Sequence, residues 1–138
     1  MKIVGLQKLT LLDFPGHVAC TVFLGGCNFS CPFCYISSLL SDAQDNLINE
    51  DDFYAFLDKR KGKIDGVAIT GGEPLLREDL FDIIELFKKN NVAIELTTNA
   101  MLINSDNARK LGELFNPLCD YVQVSLDGAD EETHDKTR

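Results

Sequence analysis

The stretch GVAITGGEPLLREDLFDIIELFKKNNVAIELT, residues 66–97, decides the fold of this chain. It begins with a short apolar run, turns at GGEP, and ends on a second apolar run. Between the two runs, residues 78–90 predict a helix, because their apolar side chains recur at helical spacing and form one face, made of Leu80, Ile83, Ile84 and Phe87. A strand, a helix and a strand in this order predict a βαβ unit with parallel strands.

The same alternation extends on both sides of this unit. Upstream, residues 17–24 predict a strand, residues 37–49 are polar, and residues 50–61 predict a helix capped by Asn49. Downstream, a helix capped by Asn104 or Ser105 leads to a strand at 121–126, with a predicted apolar face of Ala108, Leu111, Leu114 and Phe115. Residues 3–16 are compatible with an N-terminal hairpin. Near-continuously apolar strands separated by helices predict an α/β fold with a covered parallel sheet.

Length and charge exclude several classes of protein. A chain of 138 residues predicts one domain, spanning 1–138. Its 22 acidic and 13 basic residues give a net charge of −9, which disfavours binding to nucleic acid or to an anionic membrane. The apolar runs are far shorter than the roughly 20 residues of a membrane span. Since the N-terminus also lacks a signal-peptide pattern, we expect a cytoplasmic protein.

Three of the five cysteines cluster in the loop after the first predicted strand. Cys27, Cys31 and Cys34 have the spacing C-x3-C-x2-C, whereas Cys20 and Cys119 lie within or near strands and are expected to be small buried apolar groups. In a reducing compartment such a cluster indicates a metal centre more often than disulfides. Structural zinc prefers four protein ligands, whereas three thiolates on a 4Fe-4S cluster leave one iron open. Zinc completed by His17 or His134, or thiols without metal, remain alternatives.

Polar or glycine-rich residues follow each of the four predicted parallel strands. These are the cysteine loop, the GGEP turn at 71–74, Thr98 with Asn99, and Asp127 with Gly128. Since parallel strands end at one edge of the sheet, we expect these loops to form one rim. There the Glu73 carboxylate and nearby backbone carbonyls could hold an ammonium group, although a GGEP turn taken alone is more often an ordinary strand-to-helix turn. His134 is expected on the solvated surface.

The cysteine spacing, the aromatic Phe33 before the third cysteine and the GGEP turn after the second strand together resemble the radical S-adenosylmethionine (radical SAM) superfamily. The resemblance covers residues 13–138. It implies a partial (β/α) TIM-like barrel, truncated here to about four of six βα units and incomplete at the C-terminus.

The resemblance also implies the cofactors and their ligands. Cys27, Cys31 and Cys34 would ligate a 4Fe-4S cluster, whose open iron would bind S-adenosylmethionine (SAM). Reductive cleavage of SAM would give a 5′-deoxyadenosyl radical. The residues expected to contact SAM are Phe33, Cys34, Tyr35, Gly71, Gly72, Glu73, Thr98, Asn99, Ser125, Leu126 and Asp127.

The two halves of the chain resemble different subfamilies. Residues 5–16, which include the run Asp13-Phe14-Pro15-Gly16, are similar to the activating proteins of anaerobic ribonucleotide reductase. That likeness implies a large glycyl-radical enzyme as partner and a low-potential electron donor such as flavodoxin or ferredoxin. Tyr35 and the loop at 125–128 depart from this pattern, and residues 124–138 look more like radical SAM enzymes that modify peptides or build cofactors. A zinc-binding interaction module is the non-enzymatic alternative.

Overall fold

The computed structural model describes residues 3–37 and 47–137. Its strands are β1 (Ile3–Thr10), β2 (Ala19–Leu24), β3 (Gly66–Gly71), β4 (Ala93–Thr98) and β5 (Tyr121–Val124). Its helices are α1 (Glu50–Arg60), α2 (Leu80–Lys89), α3 (Ser105–Leu114) and α4 (Glu131–Thr137), with a short 3₁₀ turn at Pro74–Leu76. Part of the polar stretch at 37–49, residues 38–46, lies outside the described residues.

The strands form one sheet in the order β1-β2-β3-β4-β5. Strands β2 to β5 are parallel and in regular register, for example Ala68 opposite Glu95 and Leu96 opposite Val122, which confirms the predicted α/β fold. The N-terminal segment is antiparallel to β2. The predicted hairpin therefore exists, but it pairs residues 3–10 with the first parallel strand rather than closing within 3–16.

The helices cover one face of the sheet and bury an apolar core against it. Alternate side chains of each parallel strand, such as Val22, Ile69 and Leu96, point into this core. The face predicted for α2 is confirmed, since all four of its apolar residues are buried, and Phe53 of α1 packs beside them. The expected face of α3 is partly wrong, because Ala108 is exposed and only Leu111 of that set is buried.

The face of the sheet opposite the helices, which we call the inner face, is covered by an aromatic side chain near the N-terminal ends of the parallel strands. Phe14, in the loop between β1 and β2, is buried over Ala19, Ala68 and Ala93. These three small residues alternate with the core residues along their strands, so they leave room for the ring. The His17 ring lies against Phe14, with ring centroids 4.2 Å apart and the two planes tilted by 41°, which places this histidine at the N-terminal ends of the parallel strands.

Local sequence signals account for where the helices begin. The Asn49 side chain accepts a hydrogen bond from the backbone of Asp51 at 2.8 Å, and Asn104 caps α3 through a reciprocal capping box, as predicted. Helix α2 begins two residues later than predicted, because residues 74–76 form the 3₁₀ turn. The C-terminal acidic run, for which the sequence predicts no helix, forms α4. In the described part of the chain, no helix has the length and apolar character needed to cross a membrane.

Candidate cofactor site

The carboxyl ends of the four parallel strands meet at one edge of the sheet, as predicted. Leu24 pairs with Gly71, Thr98 pairs with Val124, and the backbone N–H of Ser125 donates to the Thr98 carbonyl at 3.0 Å. The loops that follow these strands therefore form one continuous rim. We call this surface the rim.

Two glycines allow the turn after β3 to press against the base of the cysteine loop. Gly71 has a φ of +113°, a backbone conformation that residues other than glycine rarely adopt. A Cβ added to Gly72 would lie 1.7 Å from the carbonyl oxygen of Gly26, so no other residue fits this position. The backbone N–H groups of Gly72 and Glu73 donate to the carbonyls of Leu24 at 2.9 Å and Gly26 at 2.8 Å. The GGEP turn and the cysteine loop are thus held together through their backbones.

The Glu73 carboxylate links the turn after β3 to the end of β4. The residue is only 1% exposed. Its Oε1 accepts hydrogen bonds from the Leu75 backbone at 3.0 Å and from Thr98 Oγ1 at 2.7 Å, while its Oε2 accepts one from the Asn99 backbone at 2.8 Å. Three donors satisfy much of this buried carboxylate. GGEP is therefore more than an ordinary turn, since its carboxylate organises the neighbouring strand end.

The three clustered cysteines are free thiols of intermediate burial on one loop. The pKa of Cys27 is raised by burial and then, against a backbone hydrogen bond from Phe29 that lowers it, by negative charge at Glu73, Cys31 and Cys34. Across residues 3–37 and 47–137, no three acidic, histidine or cysteine side chains are drawn together tightly enough to hold a metal ion. The donor set is nevertheless that of an iron–sulfur cluster, because three soft sulfur ligands lie on one short loop.

The alternative histidine ligands for zinc lie in unsuitable places. His17 packs against Phe14 at the N-terminal ends of the parallel strands, the ends opposite the rim. His134, expected on the solvated surface, is instead half-buried, and its Nδ1 accepts a hydrogen bond from the Asp127 backbone at 3.2 Å. The first turn of α4 also packs closely on Gly128. A Cβ added to Gly128 would lie 2.4 Å from the backbone nitrogen of His134. His134 therefore secures the loop after β5.

The remaining residues predicted to contact a cofactor line the rim with different exposure. Phe33, Tyr35 and Leu126 are exposed, and Tyr35 is the extreme case with 90% of its surface open. Ser125 and Asp127 are of intermediate burial, and Thr98 is buried because its hydroxyl bonds to Glu73. The structure thus brings the four loops together and leaves the side chains of Phe33, Tyr35 and Leu126 exposed to solvent.

Sequence reasoning missed two features near this rim. Asn28, between the first two cysteines, accepts a hydrogen bond from the Asn99 side chain at 2.8 Å. Glu95, in the middle of β4, is 3% exposed on the inner face and has one carboxylate oxygen without a hydrogen-bond partner. The alternation of β4 could have revealed Glu95, because a charged residue interrupts an otherwise apolar strand. No pattern in the sequence singles out Asn28.

Residues 21–138 match the model of the radical SAM superfamily. The chain belongs to this superfamily. A relative from Methanocaldococcus jannaschii, provisionally named a glycyl-radical enzyme activating enzyme, is 26% identical over 131 residues, which are 90% of this chain and 49% of the relative. The GTP 3′,8-cyclase of Aliarcobacter butzleri is 38% identical over 117 residues, which are 80% of this chain and 34% of that enzyme.

A solved structure supports the same fold. QueE from Escherichia coli superposes with a TM-score of 0.65 at 21% identity, covering 94% of this chain and 61% of that protein. By comparison with the two curated relatives above, the present chain spans about a third to a half of their length. Radical SAM proteins use a 4Fe-4S cluster and SAM, so the cofactors expected from the sequence are those of the family.

Proposed function

We propose that this radical SAM chain makes a glycyl radical on a large partner enzyme of the anaerobic ribonucleotide reductase class. The observation that carries the proposal is the rim, where the three-cysteine loop is hydrogen-bonded to the GGEP turn. The resemblance of residues 5–16 to activating proteins supports the partner class. The name of the relative from Methanocaldococcus jannaschii, which aligns with 90% of this chain, gives further support.

In this proposal each part of the rim has a defined task. Cys27, Cys31 and Cys34 hold the cluster through their thiolates. The exposed side of the rim receives SAM, with Phe33 and Tyr35 against the adenine and the loop at 125–127 beside the ribose or methionine part. Exposed aromatic faces suit this task because they bury area at little cost in conformational entropy.

The GGEP turn would bind the methionine ammonium chiefly through its backbone. The Glu73 carboxylate already accepts three protein hydrogen bonds and is buried, so its spare capacity is small. Carbonyl oxygens of the turn are acceptors that can complement an ammonium group without moving this carboxylate. Glu73 then acts mainly by holding the turn and Asn99 in place, while its negative charge favours the cation nearby.

Held by Cys27, Cys31 and Cys34, the cluster would supply one-electron reduction of the sulfonium C–S bond of SAM bound at the rim. The chemistry supplied there would be removal of a hydrogen atom from the glycine α-carbon of the partner, with methionine and 5′-deoxyadenosine as the products of SAM. A low-potential flavodoxin or ferredoxin supplies the electron. The task of the rim residues is to orient SAM and to exclude water from the reacting atoms.

A second radical SAM function is favoured by a different observation. The GTP 3′,8-cyclase is more identical to this chain, at 38%, than the relative from Methanocaldococcus jannaschii, at 26%. The loop Ser125-Leu126-Asp127-Gly128 also resembles enzymes that build cofactors or modify peptides. In this alternative a small molecule or peptide, rather than a large folded partner, donates the hydrogen atom. The zinc-binding module receives no support, because the family to which the chain belongs uses an iron–sulfur cluster.

Electron paramagnetic resonance separates the two radical SAM functions. The full chain, reconstituted anaerobically with iron and sulfide, is incubated with reductant, SAM and an anaerobic ribonucleotide reductase. We expect 5′-deoxyadenosine and a doublet signal from a glycyl radical on the partner. Formation of 5′-deoxyadenosine without that doublet would refute the activating function and favour the second one. Absence of both products, with the cluster intact, would refute both.

A further inference from the structure

Among the described residues, two contacts that flank Cys27 connect the cysteine loop to the rest of the rim. The first is the backbone contact of Gly26 with Glu73. The second is the side-chain hydrogen bond from Asn99 Nδ2 to Asn28 Oδ1, at 2.8 Å, between residues 71 positions apart in the chain. These two contacts lie on either side of Cys27, so they fix the first cysteine relative to the ends of β3 and β4.

The other two cysteines are held by local contacts in the backbone. The N–H of Cys34 donates to the Cys31 carbonyl at 3.1 Å, and the N–H of Ser37 donates to the Cys34 carbonyl at 3.3 Å. Such turns define the shape of the loop but leave its position relative to β4 to other contacts. The Asn28–Asn99 bond provides a long-range restraint on that position.

The orientation of the Asn99 amide is fixed by a further hydrogen bond. Its Oδ1 accepts from the backbone N–H of Met101 at 3.0 Å, so the amide nitrogen must face Asn28. Asn28 consequently supplies an oxygen. The bond has a defined polarity, with Asn99 as donor and Asn28 as acceptor.

The Asn99 backbone connects the same bond to the buried carboxylate. Its N–H donates to Glu73 Oε2 at 2.8 Å, and Glu73 Oε1 binds the Thr98 hydroxyl. A continuous hydrogen-bonded path therefore runs from the cysteine loop through Asn28 and Asn99 to the GGEP turn.

We propose that Asn28 is a positioning residue, whose hydrogen bond to Asn99 sets the distance between the cluster-bearing loop and the SAM-binding turns. This inference rests on the proposed radical SAM chemistry and adds a residue to it. Because the restraint acts on position rather than on iron, its loss weakens SAM binding while the cluster still assembles. The loss of one exposed hydrogen bond should weaken the affinity for SAM by about three- to tenfold.

The polarity of the bond provides a sharp test. The Asn28→Asp and Asn99→Asp variants each add one negative charge at nearly the same place, but only the first retains the acceptor and the donor. We expect Asn28→Asp to bind SAM within about twofold of the original chain, whereas Asn28→Ala and Asn99→Asp bind about three- to tenfold more weakly. Ser30→Ala, an exposed site in the same three-residue spacer, is the matched control and should have no effect.

Each variant is measured as the full chain after anaerobic reconstitution, with three readouts. Iron and sulfide content reports cluster assembly, equilibrium dialysis reports SAM affinity, and the change of the reduced-cluster resonance on adding SAM reports contact between the two. Unaltered iron with weakened SAM binding in Asn28→Ala supports the proposal. Normal SAM binding in Asn28→Ala, or equal loss in both aspartate variants, would overturn the positioning role. Loss of iron in Asn28→Ala would also overturn it, while leaving radical SAM activity of the original chain intact.

Discussion

The five cysteines occupy two distinct environments, and this difference predicts which of them hold iron. Cys20 points into the helix-covered core and is fully buried, and burial raises its pKa to about 11. Cys27, Cys31 and Cys34 are of intermediate burial on the loop at the rim, where a metal can reach their thiols. Cys119 is free and lies beside Asp120, away from the rim.

We therefore expect replacement of Cys27, Cys31 or Cys34 by Ala to abolish both iron binding and SAM cleavage. Cys20→Ala and Cys119→Ala should keep iron near the original level, with Cys20→Ala losing about 1 kcal/mol of stability from the cavity. Iron and sulfide per chain after anaerobic reconstitution measure this. Equal iron loss in Cys20→Ala and Cys27→Ala would contradict the ligand assignment.

Glu95 is a buried carboxylate whose ionisation opposes folding. Burial raises its pKa, and the neighbouring charge of Asp13 adds to that rise, while a hydrogen bond from the Tyr121 hydroxyl partly offsets it. A carboxyl whose pKa is higher in the folded state binds more protons there than in the unfolded chain. Stability therefore falls as the pH rises from about 4.3, the ordinary pKa of glutamate, through the raised value.

Glu95→Gln should remove this penalty while keeping an acceptor for the Tyr121 hydroxyl. We expect the variant to be more stable than the original chain at pH 7, with the difference vanishing below about pH 4. Urea unfolding between pH 4 and 8 measures it. Glu78→Gln, at an exposed site, is the control. A gain for Glu95→Gln that persists undiminished at pH 4 would show that ionisation is not its cause.

At the scale of elements, Glu73 joins the turn after β3 to the end of β4. Glu73→Ala leaves the Thr98 hydroxyl and the Asn99 N–H without their acceptor, and unsatisfied buried groups cost about 1–3 kcal/mol each. We expect the two groups together to cost about 2–6 kcal/mol of stability, and we also expect weaker SAM binding and normal iron content. Thermal unfolding, equilibrium dialysis and iron analysis check these three results.

Thr70→Ala is a suitable control for that experiment, because Thr70 lies in the same strand end and is of intermediate burial. It should leave SAM affinity near the original value. Unchanged SAM binding in Glu73→Ala would mean that the turn does not depend on its carboxylate.

The elements themselves were predictable because their signals are local. Helix α2 buries the four apolar residues that its spacing predicted, and Asn49 and Asn104 cap the helices that follow them. The four loops of the rim were also predictable, since parallel strands end at a common edge. Helix α4 was missed because its acidic sequence has no apolar face, and it is held instead by contacts such as the one between His134 and Asp127.

The site was predictable in residue type but not in its bonding. The sequence indicates that Glu73 lies at the rim, but only the three-dimensional contacts show that Thr98 and Asn99 already occupy its carboxylate. Asn28 and Asn99 meet across 71 positions, a contact without any local signal. Long-range side-chain pairs of this kind depend on the packing of the whole sheet, so composition and spacing do not reveal them.

For the whole molecule, the two edges of the sheet differ in how they meet solvent. At one edge, Ile3 of β1 forms a bridge with Ile48. At the other, the paired strand order among the described residues ends at β5. Beside β5, an apolar groove is lined by Leu111, Phe115, Val122 and Val124. An unpaired strand next to apolar surface favours association between copies of a chain.

We expect this 138-residue chain to self-associate through β5, and a charge at Val124 should suppress the association. Val124 is 42% exposed, so lysine can reach solvent there without burying its charge. Val18, 41% exposed before β2, provides a control with matched exposure and the same change in net charge. Light scattering coupled to gel filtration, over a range of protein concentrations, should show Val124→Lys as a monomer while Val18→Lys associates like the original chain. Equal suppression by both variants would attribute the effect to net charge rather than to the edge, and association unchanged in Val124→Lys would place the contact elsewhere on the surface.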